Sequence, residues 1–187
     1  MSQISLKSLM NNNVPSYSPE VVQPFREELT AVGFKELLTP ADVDAALNRQ
    51  DDKIILLMLN SVCGCSARSA RPGTILSMLN ALVPDECVTL FAGMEKEAVA
   101  HLREKYFPGL SASSPNIAVF KNGQLLHILH RYNIEGKTAG EITKELAAVY
   151  ENVCSKSNLP EETDKLKVYI ENRYQVNIET LNTQFII

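Results

Sequence analysis

The chain alternates between short runs of apolar residues and stretches in which apolar residues recur at helical spacing. Residues 54–59 are apolar without interruption, which is typical of a strand buried on both faces of a sheet. A helical pattern follows over residues 74–82, and residues 87–91 form another short apolar run with β-branched side chains. Strand, helix and strand at this spacing predict a right-handed βαβ unit with parallel strands. Similar helical spacing predicts three further helices, over residues 18–33, 39–49 and 94–106.

The second half of the chain has a different pattern. Residues 115–120 and 124–130 predict two strands, and Asn122-Gly123 between them is the strongest short hairpin signal. A capping box then opens a helix over residues 138–153. An antiparallel ββα unit therefore follows the βαβ unit. Two such halves around one sheet predict an α/β fold of thioredoxin-like architecture, with a central mixed sheet flanked by helices.

The two ends of the chain fall outside this pattern. Residues 1–17 are polar and are expected to form a flexible N-terminal extension. We assign residues 18–154 to the thioredoxin-like domain and residues 155–187 to a C-terminal helical and extended appendage. That appendage carries a predicted helix, which starts within residues 158–162 and has its body over residues 165–174, and an apolar end over residues 175–187. The apolar end could cover this chain's own sheet edge or a partner subunit.

Composition narrows the class of protein. The 187 residues are 45% hydrophobic and 21% charged, as in an ordinary soluble globular protein. The net charge of −4 gives no electrostatic reason to expect nucleic acid. No apolar run approaches the roughly 20 residues that span a bilayer, and residues 1–7 lack the pattern of a secretion signal. We therefore expect a cytoplasmic protein that binds neither nucleic acid nor membranes.

The four cysteines are the main candidates for chemistry, and they are too few for a disulfide scaffold. Cys63 and Cys65, separated only by Gly64, lie at the predicted turn from the buried strand into the helix. Backbone N–H groups at a helix N-terminus stabilise an anion. A thiolate is an anion, so a cysteine here should have a lowered pKa and act as a nucleophile. The sequence therefore predicts thiol chemistry at Cys63, with Cys65 as its partner.

The fold class assigns unequal roles to these residues. In a thioredoxin-like fold the first cysteine of the active turn is the exposed nucleophile, so Cys63 would attack a disulfide and Cys65 would resolve the product. Gly64 would permit unusual backbone dihedral angles between them. Ser114 and Pro115 precede a predicted strand, where such folds place a cis proline facing the nucleophile. Gly64, Ser114 and Pro115 are therefore candidate substrate-binding residues.

Three residues near the turn have two interpretations each. Arg68 and Arg71 either add positive potential at Cys63 or are solvated surface charges. Pro72 predicts either a kink or a break between two shorter helices.

The remaining thiols and the histidines are less informative. Cys87 opens an apolar strand and is expected in the core. Cys154 is either a second resolving thiol or an unpaired surface cysteine, and the second interpretation is preferred. No catalytic role is assigned to the histidines His101, His127 and His130.

Several separated motifs occur in a characteristic order, over residues 24–34, 60–72, 89–98, 113–115 and 134–136. In these motifs residues 17–154 resemble the bacilliredoxin family. The resemblance implies a thioredoxin-like fold, no bound cofactor, and removal of bacillithiol from mixed disulfides on oxidised proteins. Cys63 would attack the mixed disulfide and take the bacillithiol, and Cys65 or a second bacillithiol would regenerate it. The implied partners are S-thiolated client proteins and the small thiol, and disulfide isomerase activity has also been proposed for such proteins.

Two other classes of function remain open. A metal-binding module could use the thiolates of Cys63 and Cys65, but a structural zinc site usually has four ligands and the other cysteines are not spaced as a second pair. No metal is therefore expected. A non-enzymatic binding protein could use residues 155–187 for its partners, and the same residues could form a homodimer. In addition, Cys154 matches a cysteine that some bacilliredoxins carry near the C-terminus.

Overall fold

The computed structural model describes residues 13–180. The predictions for residues 1–12, and for the apolar residues within 181–187, lie outside the described part. The helices are α1 (Pro19–Thr30), α2 (Pro40–Leu47), α3 (Arg71–Ser77), α4 (Lys96–Tyr106), α5 (Arg131–Ile134), α6 (Ala139–Val153) and α7 (Pro160–Tyr174). The strands are β1 (Lys35–Glu36), β2 (Ile54–Asn60), β3 (Leu82–Val83), β4 (Glu86–Phe91), β5 (Asn116–Lys121), β6 (Gln124–Leu129) and β7 (Lys156–Ser157).

The central sheet has five strands in the order β1-β4-β2-β5-β6. Strands β1, β4 and β2 are parallel, whereas β5 is antiparallel to both β2 and β6. The order along the chain is therefore β2-α3-β4 followed by β5-β6-α6. This mixed sheet, with helices on both faces, is the thioredoxin-like architecture that the sequence predicts.

Strand β2 lies at the centre of the fold, and all seven of its residues are buried. Successive side chains of a strand point to opposite faces of its sheet. Leu56 and Met58 belong to a core shared with α3 and α6, whereas Leu57 and Leu59 belong to a second core shared with α2 and α4. Because helices cover both faces, no polar position interrupts the run.

The predicted capping box at Thr138 and the predicted hairpin turn at Asn122-Gly123 both form in the structure. The Oγ1 atom of Thr138 accepts the backbone N–H of Glu141 at 3.2 Å, and the Glu141 carboxylate accepts the backbone N–H of Thr138 at 2.7 Å. Asn122 and Gly123 have φ values of 50° and 76°, which are the left-handed conformations that a tight hairpin turn requires. The capping box and the hairpin are confirmed.

The predicted helix over residues 74–82 is wrong at its C-terminal end. Helix α3 ends at Ser77, and Leu82–Val83 forms β3, which pairs with Lys156–Ser157 of β7. The side-chain amide of Asn158 donates to the backbone oxygen of Met78 at 2.6 Å, near the end of α3. Both interactions come from residues about 80 positions further along the chain, so no local pattern indicates them.

The described part of the appendage packs against this chain's own core. Ile170 on α7 is fully buried and Ile178 is 3% exposed, and both join the core that contains α3 and α6. The hydroxyl group of Tyr169 donates to the backbone oxygen of Glu28 on α1 at 3.1 Å. Within the described residues, no helix is long and apolar enough to cross a membrane.

Candidate active site

Cys63 lies between the end of β2 and the start of a helix. The helix begins at Gly64, runs through a π-helical turn over Ser66–Ala70 and continues as α3 from Arg71. Pro72 is the second residue of α3, where its missing N–H costs little. Ala70 and Arg71 directly before it have helical dihedral angles, and the helix is continuous from Gly64 to Ser77. The interpretation of Pro72 as a break between two shorter helices is therefore wrong, and the irregularity is the π-helical turn that precedes it. Insertions of π-helix are frequent at functional sites, and this one directly follows the cysteine turn.

The two sulfur atoms lie together, and both thiols are free. The Sγ atoms of Cys63 and Cys65 are 2.6 Å apart. The Sγ atom of Cys63 also accepts the hydroxyl group of Ser61 at 3.2 Å and the backbone N–H of Ser66 at 3.4 Å. Two donors, the Ser61 hydroxyl group and the Ser66 N–H, thus converge on the sulfur of Cys63, and the sulfur of Cys65 lies beside it.

These donors make the two cysteines chemically different. Burial raises the pKa of Cys63, but hydrogen bonds from Cys65, Ser61 and the Ser66 N–H outweigh it, and with the charge of Arg131 they bring that pKa below its usual value. Burial raises the pKa of Cys65, as do its hydrogen bond to Cys63 and the negative charge there. Cys63 is therefore favoured as the thiolate and Cys65 as the thiol, as the predicted roles require.

The start of β5 lies at the same edge of the sheet as the cysteine turn. Leu59 near the end of β2 pairs with Asn116 at the beginning of β5. The Ser114–Pro115 peptide bond directly before it is cis, which confirms that prediction. The residues proposed to bind substrate therefore lie at the edge of the sheet from which Cys63 projects.

Arg131 and His130 reach this edge too, and sequence reasoning missed both. Strand β6 ends at Leu129, opposite Ile117, so His130 leaves the strand instead of occupying its last position. The Nδ1 atom of His130 lies 3.4 Å from the Oγ atom of Ser113. Its ring is buried and stacks on that of exposed Tyr132 at 5.3 Å. A bulge between β5 and β6 shifts their register, so strand alternation alone could not place these residues.

The two arginines after the turn have different environments. Arg68 is exposed, and its guanidinium group reaches Gly64: an added Cβ there would lie 3.2 Å from the Nη2 atom. Arg71 is 1% exposed, and its Nε atom lies 2.7 Å from a carboxylate oxygen of Glu28. The interpretation as a solvated surface charge is therefore wrong for Arg71, because the helix turns its side chain into the protein.

Cys154 is buried, so its interpretation as a surface cysteine is wrong. It follows α6 and is 9% exposed, and burial raises its pKa to about 12. It lies near enough to Cys87 for their charges to interact. Cys87 pairs with Leu56, near the opposite end of β2 from Cys63. This placement separates Cys154 from the reactive sulfur and gives no support to a resolving role.

Cys87 is half-buried and packs against the core that contains α3 and α6, at the margin of the core position predicted for it. Burial raises the pKa of Cys87 to about 12, and its sulfur contacts that of Met78 at 3.8 Å. Within residues 13–180, no three His, Cys, Asp or Glu side chains converge as metal ligands would.

Comparison with known proteins places this site in a family. A family model described as disulphide isomerase matches residues 17–154. A bacilliredoxin of Salinibacter ruber is 40% identical over 139 residues, which cover 74% of this chain and 81% of that protein. A bacilliredoxin of Halalkalibacterium halodurans is 42% identical over 145 residues, covering 78% and 99% respectively.

Among solved structures, the oxidised thioredoxin of Plasmodium falciparum superposes with a TM-score of 0.42 and 18% identity, covering 63% of this chain and 98% of that one. The fold assignment rests on the strand order described above. The residues that match the family model, 17–154, include the cysteine turn, the β5 edge and the helices that support them. The chain therefore belongs to the bacilliredoxin family, a family of thioredoxin-like thiol oxidoreductases.

Proposed function

We propose that this protein removes bacillithiol, or a similar small thiol, from mixed disulfides on oxidised proteins. The observation that carries the proposal is the convergence of two donors, the Ser61 hydroxyl group and the Ser66 N–H, on the sulfur of Cys63, which makes one cysteine of the pair the better thiolate. The family relationship supports the same chemistry, because the relatives at about 40% identity are bacilliredoxins. Bacillithiol itself comes into the proposal from that relationship.

The reaction consists of two exchanges. The Cys63 thiolate attacks the small-thiol sulfur of the mixed disulfide, the old S–S bond breaks, and the client protein leaves as a thiolate. Cys63 then carries the small thiol in a new disulfide. Cys65, once deprotonated, attacks the Cys63 sulfur, releases the small thiol and leaves Cys63 and Cys65 joined. Alternatively, a second small-thiol anion attacks the small-thiol sulfur of the adduct, which forms the disulfide of two small thiols and releases the Cys63 thiolate.

Substitution of each cysteine tests this division of roles. We expect Cys63→Ser to abolish release of bacillithiol from a bacillithiolated model protein, because serine forms no thiolate. We expect the Cys65→Ser variant to remove bacillithiol from the client protein in the first turnover. It should then accumulate with bacillithiol bound to Cys63, which intact-mass spectrometry detects. Full turnover by Cys63→Ser would refute the proposal. The same assay with a glutathione adduct measures selectivity for the small thiol.

A second candidate function is disulfide isomerisation of proteins, which the description of the matching family supports. Recovery of activity from a protein with scrambled disulfides distinguishes the two functions. Rapid recovery together with slow removal of a bacillithiol adduct would favour the isomerase.

The predicted homodimer through residues 155–187 remains a separate proposal. Ile170 and Ile178 already lie inside this chain's own core, so they are not free to form an interface. Light scattering of the full chain measures the oligomeric state directly.

A further inference from the structure

Arg71 is a buried cation that has hydrogen-bond partners at both Nε and Nη1. Its side chain is 1% exposed and lies over the ring of Phe25, with 4.8 Å between the guanidinium carbon and the ring centroid. Its Nε atom donates to the Glu28 carboxylate at 2.7 Å. Its Nη1 atom lies 3.1 Å from each of three acceptors: the Asn60 side-chain oxygen, the Ser61 backbone oxygen and the Ser66 hydroxyl group. A buried guanidinium with this many charge-assisted contacts holds its neighbours in a fixed geometry.

Two of those three neighbours are the residues that donate to Cys63. Ser61 donates its hydroxyl group to the Cys63 sulfur, and Ser66 donates its backbone N–H. The Asn60 side-chain oxygen also accepts the backbone N–H of Ser61 at 2.8 Å and the Ser66 hydroxyl group at 3.0 Å. Arg71 therefore contacts directly the two residues that donate to Cys63, Ser61 and Ser66, and holds both in position.

Glu28 connects this network to the appended helix. Its side chain is 7% exposed and forms ion pairs with Arg71 and with Arg173 on α7. The Tyr169 hydroxyl group, one helical turn before Arg173, donates to the Glu28 backbone. Two guanidinium groups and one carboxylate leave a net positive charge beneath the cysteine turn. Arg173 lies beyond residues 17–154, the part that matches the family model.

We propose that Arg71 and Glu28 are positioning residues for Cys63, and that Arg173 completes their network so that the appended helix tunes the reactive thiolate. This inference rests on the proposed role of Cys63 as the attacking sulfur. The physical reason is charge balance in a poorly solvated place, where an unpaired carboxylate is costly. Without Arg173, the Glu28 charge is balanced by Arg71 alone. The network beneath the cysteine turn then loses one positive charge, and we expect Glu28 to draw Arg71 away from its three acceptors.

The other titratable or charged groups that face the cysteine turn do not depend on α7. Cys65 and Arg68 come from the helix that Cys63 begins, and Arg131 comes from α5. They stay in place when α7 is changed, so a change at Arg173 reports on the buried network alone.

Reactivity of Cys63 towards iodoacetamide tests the inference without any disulfide substrate. The rate constant at Cys63 is followed by peptide mass spectrometry between about pH 5 and about pH 10. For Arg173→Gln we expect the midpoint of the pH profile to move to higher pH. At pH values below that midpoint, the rate constant at Cys63 should fall by about threefold, since a positive charge of the network is lost. Arg173→Lys should restore most of that rate because it keeps the charge. Lys165→Gln is the matched control, because Lys165 is an exposed cation on the same helix whose ion pair, among residues 13–180, is with Glu161.

An unchanged profile in folded Arg173→Gln would overturn the inference, as would an equal shift in Lys165→Gln. If the glutamine variant fails to fold, Arg173→Met replaces it, because methionine keeps the packing of the arginine stem. The proposed function fails by a different result, namely turnover by Cys63→Ser.

Discussion

Cys63 and Cys65 have the same side chain, and only their surroundings make them different. The sulfur of Cys63 accepts hydrogen bonds from a serine hydroxyl and a backbone N–H, and it contacts the sulfur of Cys65. Cys65 lies one step inside the helix, where burial and the neighbouring sulfur raise its pKa. The helix N-terminus alone predicts a lowered pKa for a cysteine in this region. It does not predict which of the two cysteines receives the donors.

Ser61→Ala tests the contribution of one donor. The Ser61 hydroxyl group lowers the pKa of Cys63, so its removal should raise that pKa and reduce the thiolate fraction below neutral pH. We expect alkylation of Cys63 at about pH 6 to slow by about fivefold, the factor for one hydrogen bond of ordinary strength. Ser69→Ala is the control, because the Ser69 hydroxyl group donates to the Lys137 backbone instead. Equal rates in the parent and in Ser61→Ala would show that this hydroxyl group does not stabilise the thiolate.

Cys154 should make stability sensitive to alkaline pH. Burial raises its pKa to about 12 in the folded protein, whereas a thiol in an unfolded chain titrates near pH 8.5, about its unperturbed value. Between these values the unfolded form loses a proton that the folded form keeps. The contribution of Cys154 to the free energy of unfolding is therefore fully present below about pH 8.5. It is lost as the pH rises towards the pKa of the thiol in the folded protein. We expect the urea midpoint to fall less between about pH 8 and about pH 10 in Cys154→Ala than in the parent. Parallel curves would contradict this.

At the scale of elements, α3 and α6 approach each other through a glycine. A Cβ atom added to Gly73 would lie 2.6 Å from the Cβ atom of Ile142 and 2.8 Å from the Ala139 backbone oxygen. Neither atom is the end of a flexible side chain, so one helix would have to move. The close approach matters for the site, because α3 continues the helix that begins after Cys63. The sequence contains the glycine next to Pro72 but no sign of the helix that crosses it.

Gly73→Ala has two effects on the free energy of unfolding, and they have opposite signs. Alanine in place of glycine stabilises a helix interior by up to about 1 kcal/mol, whereas overpacking a tight contact costs about 1–3 kcal/mol. Because several contacts fall below 3.0 Å, we expect net destabilisation, measured by chemical denaturation. Ala148→Ser adds one atom at an exposed position of α6 and should leave the free energy of unfolding nearly unchanged. A gain in stability for Gly73→Ala would show that the two helices can separate at little cost.

At the scale of the whole molecule, the described part of the appendage is held in place by the core and by the buried charge network. Ile170 is fully buried, whereas Val168, two residues earlier on α7, is 57% exposed. We expect Ile170→Ala to lower the free energy of unfolding by about 2–4 kcal/mol, as for other large-to-small core substitutions. Val168→Ala should change it by less than about 0.5 kcal/mol, as for surface positions. Similar effects of the two substitutions in denaturant titrations would contradict the packing of α7 on this core.

The parts of the protein determined by the sequence alone are those whose causes are local. The buried strand β2, the hairpin at Asn122-Gly123 and the capping box at Thr138 each follow from neighbouring residues. Cys63 and Cys65 could be placed at the turn into a helix because the apolar run stops just before them. The resemblance of motifs along residues 17–154 then supplied the family, without any knowledge of contacts.

Tertiary structure decided the rest, since the partners concerned lie far apart in sequence. Arg71 is buried because Glu28 lies 43 positions earlier and balances its charge. Residues 82 and 83 form a strand because β7 provides a partner, and Cys154 is inside because α7 and its neighbours complete the core around it. Local propensity and periodicity depend only on residues that are close together along the chain. The burial of a charge or a thiol depends on what the folded chain brings against it.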